Sequence, residues 1–249
     1  MKAVVTAAGN GTRSGLDGKF RKEMLPVYDC REGRLVLRPI IDCIIHQLNS
    51  NGIYKIAAIL RNDDTLTRAY VRKEFPEVEI IFQEKPRGYG DAVLQASEFV
   101  GKDGFVLNAG DGFLLKSKDF FSKVQGVAGK SGNLINIMKV ENPGHYGCPL
   151  LSMEGETITV KEIEEKPLKP KSGFGLSALY YLDNRVMKIL AEMNGDNVEL
   201  TPAIDMSIKA GVKTIANEIS RDDWISVGKA EEYSLIINKS RDHVRMMGC

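Results

Sequence analysis

The stretch "AVVTAAGNGTR" (3–13) passes abruptly from an apolar run to a glycine-rich turn. Its first six residues are mostly apolar and partly β-branched, which is typical of a buried strand, and Gly9 and Gly11 follow. A glycine-rich loop after the first strand of a parallel sheet lies at the carboxyl edge, where backbone N–H groups can face phosphate oxygens. Four basic residues come next: Arg13, Lys19, Arg21 and Lys22. The segment therefore predicts a local anion site.

Neither of the two common phosphate-binding loops fits this segment. The dinucleotide fingerprint G-x-G-x-x-G requires glycine at position 14, where the chain has Ser14. A Walker loop built on Gly18 and Lys19 requires glycine at position 13 and a hydroxyl residue at position 20, where Arg13 and Phe20 stand. An exposed basic loop without a ligand remains the alternative interpretation.

The composition excludes several broad classes of protein. The chain has 34 Lys and Arg against 33 Asp and Glu, a net charge of +1, so we expect neither a nucleic acid nor a membrane surface as partner. Its four cysteines and three histidines are scattered, which predicts no zinc site and no disulfide framework. With no signal-peptide profile and no apolar stretch of roughly 20 residues, we expect a soluble protein of the reducing cytoplasm.

The first half of the chain alternates strand and helix patterns, which predicts an α/β fold with a mainly parallel sheet. The segments are "AVVTAA" (strand), "RPIIDCIIHQLNSNG" (helix), "KIAAIL" (strand), "DDTLTRAYVRKEF" (helix), "VEIIF" (strand), "GDAVLQASEFV" (helix) and "GFVLNAGD" (strand). From about residue 132, strand-like runs separated by turn signals predict an antiparallel extension, and helices return near the end. We expect one domain over residues 1–249, with a first part (1–130) and a second part (131–249) that contains the C-terminal helices.

Several segments together resemble the sugar-1-phosphate nucleotidyltransferases. "AAGNGTR" followed by "KEMLPV" is similar to the signature of that family, and "KEMLP" is most similar to its UTP:glucose-1-phosphate uridylyltransferases. "FQEKPRGYGDAVLQA" (82–96) resembles the base-binding segment, "NAGDGFLL" (108–115) the metal-binding motif, and "EEKPLKPKSGFGLSALYYLD" (164–183) the sugar-binding segment. The resemblance covers nearly the whole chain in the family's order, and it implies a Rossmann-like nucleotidyltransferase fold, a mixed sheet flanked by helices.

The resemblance implies a reaction and assigns roles to residues. A sugar-1-phosphate, glucose-1-phosphate being favoured, attacks the α-phosphorus of UTP or dTTP, and pyrophosphate leaves in the presence of Mg²⁺. Catalytic roles fall on Arg13, Lys22 and Asp111, and Asp111 is also the metal ligand. The implied nucleotide-binding residues are Ala8, Gly9, Gly11, Thr12, Gln83 and Gly88. The implied sugar-phosphate residues are Gly147, Glu165 and Lys166. The resemblance thus makes residues 1–130 the nucleotide-binding part and residues 131–249 the sugar-phosphate-binding part.

Three departures from the family's pattern concern the site. The family's last motif has Ser226 where a second metal-binding aspartate is usual, with Asp222 or Asp223 as alternative ligands, and Lys229 in place of a threonine. The spacer between Arg13 and Lys22 is one residue shorter than the common pattern and lacks its usual proline and threonine, and Pro202 replaces another aspartate. A serine hydroxyl is a weaker, neutral ligand for Mg²⁺. Three hypotheses stay open: an active enzyme, a nucleotide or nucleotide-sugar sensor, and an enzyme with a different phosphorylated acceptor. Assembly as a homo-oligomer is also open.

Overall fold

A computed structural model describes residues 1–9, 11, 15–16 and 20–249 of the chain. Two of the predicted site residues, Thr12 and Arg13, lie outside the described residues. Within the described ranges no helix is both long enough and apolar enough to cross a lipid bilayer.

Strands and helices alternate along the described chain. The strands are β1 (Lys2–Ala7), β2 (Pro26–Arg31), β3 (Arg34–Pro39), β4 (Lys55–Arg61), β5 (Glu79–Gln83), β6 (Phe105–Ala109), β7 (Gly112–Leu114), β8 (Gly132–Lys139), β9 (Gly147–Glu154), β10 (Thr157–Glu165), β11 (Phe174–Leu182), β12 (Lys213–Glu218) and β13 (Trp224–Ser226). The helices are α1 (Ile40–Ser50), α2 (Thr65–Glu74), α3 (Tyr89–Leu94), α4 (Ser97–Val100), α5 (Lys118–Val127), α6 (Arg185–Glu192), α7 (Leu200–Lys209) and α8 (Tyr233–Met246). A 3₁₀ turn spans Lys22–Met24.

Nine of the described strands form one large sheet of order β5-β4-β1-β6-β11-β8-β12-β10-β9. The strands β5, β4, β1 and β6 run parallel to one another, as the alternating pattern predicts. From β11 onward the sheet becomes mixed: β11 is antiparallel to β6 and β8, β12 is parallel to β8, and β10 is antiparallel to β12 and β9. The α/β fold with an antiparallel extension is confirmed.

Two apolar clusters, one on each face of the large sheet, hold the helices in place. The apolar residues that the sequence places at helical spacing on α1 are all buried: Ile40, Ile41, Ile44, Ile45 and Leu48. The start of α2 also follows the sequence, because the side chain of Asp64 accepts a hydrogen bond from Thr67 N at 3.0 Å and so caps the first turn.

The structure adds elements that the sequence analysis did not predict. Residues 26–39 form the hairpin β2–β3, residues 213–218 form β12, and the helix expected over 90–100 divides into α3 and α4. A small second sheet pairs β7 with β13, with Gly112 opposite Ser226. This pairing carries the end of the chain back to the carboxyl edge of β6, where the predicted site lies.

The expectation of no disulfide is wrong, because Cys30 and Cys249 are joined by one. The two cysteines meet since α8 packs against β2: Tyr28 N donates to Ser240 Oγ, and the Tyr233 hydroxyl donates to Pro26 O. Counting cysteines and their spacing could not reveal this pair, because its members lie 219 positions apart. Cys43 and Cys148 are free and buried.

Candidate functional site

Two adjoining cavities open at the carboxyl edge of the parallel strands. The inner cavity, of about 440 Å³, is lined at one end by Gln83 and Gly88 and at the other by Lys22 and Asp111. The outer cavity, of about 690 Å³, reaches from Lys22 and Asp111 to the antiparallel half of the sheet. The two cavities share Gly9, Lys22 and Asp111. The structure thus brings most of the predicted site residues into one continuous cleft.

The end of the cleft that the sequence analysis predicts to bind phosphates, called the phosphate end below, is built around an ion pair between Lys22 and Asp111. The 3₁₀ turn after the glycine-rich loop presents Lys22, while Asp111 follows β6 in the turn that leads to β7. The amine of Lys22 contacts the Asp111 carboxylate directly, and both side chains are partly exposed. Gly110 permits this turn, since a Cβ there would lie 2.9 Å from Thr6 O. Without a ligand, these two charges neutralise each other.

Glu23, next to Lys22, is a buried carboxyl group that the sequence analysis did not select. It is 3% exposed and lines the inner cavity. Burial raises the pKa of Glu23 from 4.5 to about 7, and the neighbouring charge of Asp111 adds to the rise. Being next to a predicted catalytic lysine is a weak signal, and the burial that makes Glu23 unusual arises only in the folded chain.

The end of the cleft that the sequence analysis predicts to bind a base, called the base end below, is held by hydrogen bonds among its own side chains. Gln83, at the end of β5, donates from Nε2 to Asp91 Oδ2 at 2.7 Å and to Gly88 O at 3.3 Å. The other carboxylate oxygen of Asp91 accepts from Arg87 at 3.1 Å and 2.7 Å. Gln83 and Asp91 are both almost fully buried, so the Gln83 side chain has a fixed orientation before a ligand arrives.

Gly88 lies too close to a neighbouring segment to tolerate a side chain. Its φ of +106° is in the left-handed region that favours glycine, and a Cβ would lie 2.5 Å from Val198 O. The two segments are also hydrogen-bonded, since Val198 N donates to Arg87 O at 2.6 Å and Asp91 N donates to Val198 O at 3.2 Å. Residues 197–199 therefore hold the backbone of the base end in place.

The outer cavity carries an excess of positive charge. Its basic residues are Lys22, Lys166, Arg221 and Lys229, and its acidic residues are Asp111 and Glu232. Lys166 follows β10 with a φ of +45°, an uncommon backbone conformation for a residue with a side chain and one that is enriched at functional sites. Its N–H donates to Tyr146 O at 3.0 Å, which holds this backbone in place. Such a cavity suits an anionic ligand.

Two of the predicted sugar-phosphate residues do not line either cavity. Gly147 and Glu165 form a cross-strand pair between β9 and β10, beside the outer cavity. Glu165 pairs with the amine of Lys166 at 2.9 Å, and a Cβ at Gly147 would lie 2.9 Å from Leu176. Their contact with a sugar stays a prediction.

The acidic residues around the site supply few protein ligands for a metal ion. Among the described residues, no three His, Cys, Asp or Glu side chains converge on a point that could hold a metal. Ser226 lines the outer cavity with Asp111, whereas Asp222 pairs with Lys239 and Asp223 pairs with Lys116. Asp222 and Asp223 are thus engaged elsewhere. Because Mg²⁺ is commonly held by one or two carboxylates together with substrate phosphates, Asp111 fits as its single carboxylate ligand.

Two buried hydroxyl groups complete the wall of the inner cavity. The hydroxyl groups of Thr6 and Tyr89 interact with each other, but neither makes a hydrogen bond of ordinary geometry with the described residues. Burial raises the pKa of Tyr89, so this hydroxyl remains protonated and can donate. Buried polar groups normally have partners, and those without one at a cavity wall are candidates to bind a ligand. The sequence gives no sign of them, since Thr6 belongs to a predicted strand and Tyr89 directly precedes a predicted helix.

Comparison with known proteins assigns the chain to a family. The family model described as nucleotidyl transferase matches residues 2–243. The chain belongs to the nucleotidyl transferase family. A glucose-1-phosphate thymidylyltransferase from Neisseria meningitidis is 27% identical over 198 residues, which cover 78% of this nucleotidyl transferase. The match covers 65% of that relative, less than two thirds of its length.

Solved structures agree with the fold of this nucleotidyl transferase. A Bacillus anthracis protein crystallised with sucrose, assigned as a glucose-1-phosphate thymidylyltransferase, superposes with a TM-score of 0.82 at 24% identity, covering 97% of this chain and 96% of that one. A UDP-glucose pyrophosphorylase complexed with UDP-glucose gives a TM-score of 0.80 at 20% identity and covers 98% of both chains. At these identities the superpositions establish the fold.

Proposed function

We propose that this chain transfers a nucleotidyl group from UTP or dTTP to a sugar-1-phosphate, with glucose-1-phosphate as the favoured acceptor. The observation that carries the proposal is the pair of cavities that meet at Lys22 and Asp111. One cavity has a hydrogen-bonding amide and a glycine at its far end, as a base requires. The other is lined by cations, as a sugar phosphate requires. The relative named as a thymidylyltransferase and the neighbour solved with UDP-glucose support the same class of reaction.

The reaction needs alignment and charge neutralisation rather than a covalent intermediate. A phosphate oxygen of the acceptor, already deprotonated, forms a bond to the α-phosphorus, and the bond from that phosphorus to the bridging oxygen of the β-phosphate breaks. Pyrophosphate leaves with that oxygen. Lys22 turns from Asp111 to the phosphates at the reacting centre, and Lys166 holds the acceptor phosphate. Asp111 would hold a Mg²⁺ ion together with the substrate phosphates, and the ion would supply additional charge neutralisation.

The test is pyrophosphate release from purified protein with Mg²⁺, each of UTP, dTTP, CTP, ATP and GTP, and a panel of hexose-1-phosphates and phosphorylated alcohols. We expect release only when UTP or dTTP and a sugar-1-phosphate are both present. A matched pair of variants tests the acceptor cavity: Lys166→Ala raises the KM for the sugar phosphate, while Lys169→Ala, an exposed residue nearby, leaves it unchanged. Absence of release in every combination overturns the proposal.

A second function, a nucleotide or nucleotide-sugar sensor, is favoured by one feature of the site. Lys22 and Asp111 neutralise each other, and Ser226 provides no second carboxylate. A sensor would bind UTP or a UDP-sugar and show no exchange of pyrophosphate at any Mg²⁺ concentration. Turnover that depends on Lys22 excludes it.

A further inference from the structure

The direction of the Gln83 amide group follows from its neighbours. An amide side chain has one donor end and one acceptor end, and an ionised carboxylate can only accept. Asp91 forms an ion pair with Arg87, whose guanidinium donates two hydrogen bonds to Asp91 Oδ1. Asp91 Oδ2 is therefore free to accept from Gln83, and the Gln83 nitrogen must face it.

This arrangement uses both donors of the Gln83 side chain. One N–H bonds to Asp91 Oδ2 at 2.7 Å, and the other bonds to Gly88 O at 3.3 Å. No described residue donates a hydrogen bond to Gln83 Oε1, and Gln83 lines the inner cavity. The buried amide thus offers a ligand an acceptor and no donor.

We infer that Asp91 determines which bases the cleft accepts, by fixing the Gln83 amide with its oxygen toward the ligand. This inference rests on the proposed function, because it takes the inner cavity as the nucleotide site. Uracil and thymine carry an N3–H that can donate to Oε1. Cytosine has a bare N3 that would face Oε1 as a second acceptor, leaving a buried polar group unpaired. Asp91 acts through Gln83 and is a positioning residue.

Direct binding of UTP and CTP in the absence of an acceptor tests the inference separately from turnover. We expect the unmodified protein to bind UTP at least about tenfold more tightly than CTP, the range that one unpaired buried group produces. In Asp91→Asn the asparagine side chain can donate as well as accept, so the Gln83 amide can flip and exchange the positions of its oxygen and nitrogen. The ratio of the two dissociation constants then falls toward one. Asp91→Glu, which keeps the carboxylate, retains a preference for UTP.

A matched control makes the same chemical change outside the cleft. Asp119 also forms an i,i+4 ion pair with a basic residue, Lys123, and lies on the surface of α5. Asp119→Asn leaves the ratio of UTP to CTP affinity unchanged. If Asp91→Asn does not fold, Arg87→Gln replaces it, because Arg87 is half exposed and its loss weakens the hold on Asp91. We expect a smaller shift of the ratio in the same direction.

Two results would overturn the inference. The first is equal affinity of the unmodified protein for UTP and CTP. The second is an unchanged ratio of the UTP and CTP dissociation constants in a folded Asp91→Asn variant, or in Arg87→Gln where that variant replaces it. The proposed function can fail independently. Selective binding of UTP that Asp91→Asn abolishes, without pyrophosphate release under any condition, supports the role of Asp91 and favours the sensor over the enzyme.

Discussion

The two ends of the inner cavity are built in different ways. At the base end, Gln83 and Asp91 are buried and hydrogen-bonded before any ligand binds. At the phosphate end, Lys22 and Asp111 are partly exposed and paired with each other, next to the buried carboxyl group of Glu23. A ligand can enter the first end without rearrangement, whereas it must replace an ion pair at the second. If these ends bind the base and the phosphates as we propose, selection of the base and activation of the phosphates are separate properties, and we expect substitutions to alter them one at a time.

Lys22→Ala gives the largest expected effect and leaves the base end intact. Removing a cation that stabilises charge in the transition state costs roughly 100-fold to 1000-fold in turnover. Pyrophosphate release measures this loss, and the preference for UTP over CTP in binding should remain. Lys130→Ala, an exposed lysine on the loop after α5, is the control and should keep full activity. Turnover within about threefold of the unmodified protein would remove Lys22 from the mechanism.

Glu23→Gln should change stability as a function of pH. The pKa of Glu23 is raised from 4.5 to about 7, so the folded protein binds a proton more tightly than the unfolded chain does. The free energy of unfolding therefore decreases as pH rises through this range, and Gln abolishes that decrease. At about 1.4 kcal/mol per pKa unit, the difference in stability between variant and parent should grow by about 3 kcal/mol from pH 4.5 to pH 8.

Urea unfolding at several pH values measures this difference. The exposed Glu77, changed to Gln, is the control, and its effect should be small at every pH. A stability difference for Glu23→Gln that stays constant from pH 4.5 to pH 8 would contradict the raised pKa.

Gly88→Ala tests the close contact between the base end and residues 197–199. The backbone there has a φ of +106°, and a Cβ would lie 2.5 Å from Val198 O. We expect a loss of about 2 kcal/mol in stability and weaker UTP binding, because the contact with residues 197–199 must open. Gly155→Ala separates the two causes, since Gly155 has a φ of +61° but open space around its Cα. Equal losses in both variants would show that backbone conformation, and not the close approach, is responsible.

The sequence predicted those parts of the fold that depend on local patterns. The apolar spacing of α1 and the aspartate cap of α2 needed only neighbouring residues. The hairpin β2–β3 was missed because its strands are only partly buried, with Leu35 and Leu37 exposed, so the usual alternation is weak. The disulfide was missed because it depends on how α8 packs.

For the site, sequence analysis identified candidate residues but not their pairing. Resemblance named Lys22 and Asp111 separately, and only the folded chain brings them into contact over 89 positions. Asp91 is close to Gln83 in sequence, yet their hydrogen bond depends on how the segment after β5 turns into α3. Side-chain direction and burial are properties of the tertiary structure, and both the raised pKa of Glu23 and the orientation of Gln83 depend on them.

Ser226→Asp has the smallest expected effect. It tests whether the phosphate end lacks a metal ligand. Ser226 lies opposite Gly112, the residue after Asp111, in the β7–β13 pair. Ser226 and Asp111 both line the outer cavity. A carboxylate there would add a second charged oxygen for Mg²⁺ and compete with Asp111 for Lys22. We expect the Mg²⁺ concentration for half-maximal pyrophosphate release to fall by about tenfold, equivalent to about 1.4 kcal/mol. Ser226→Asn has the same size without the charge and should leave the Mg²⁺ dependence unchanged. If both variants respond to Mg²⁺ alike, the native serine is not a deficiency, and Asp111 with the phosphates is sufficient to hold the ion.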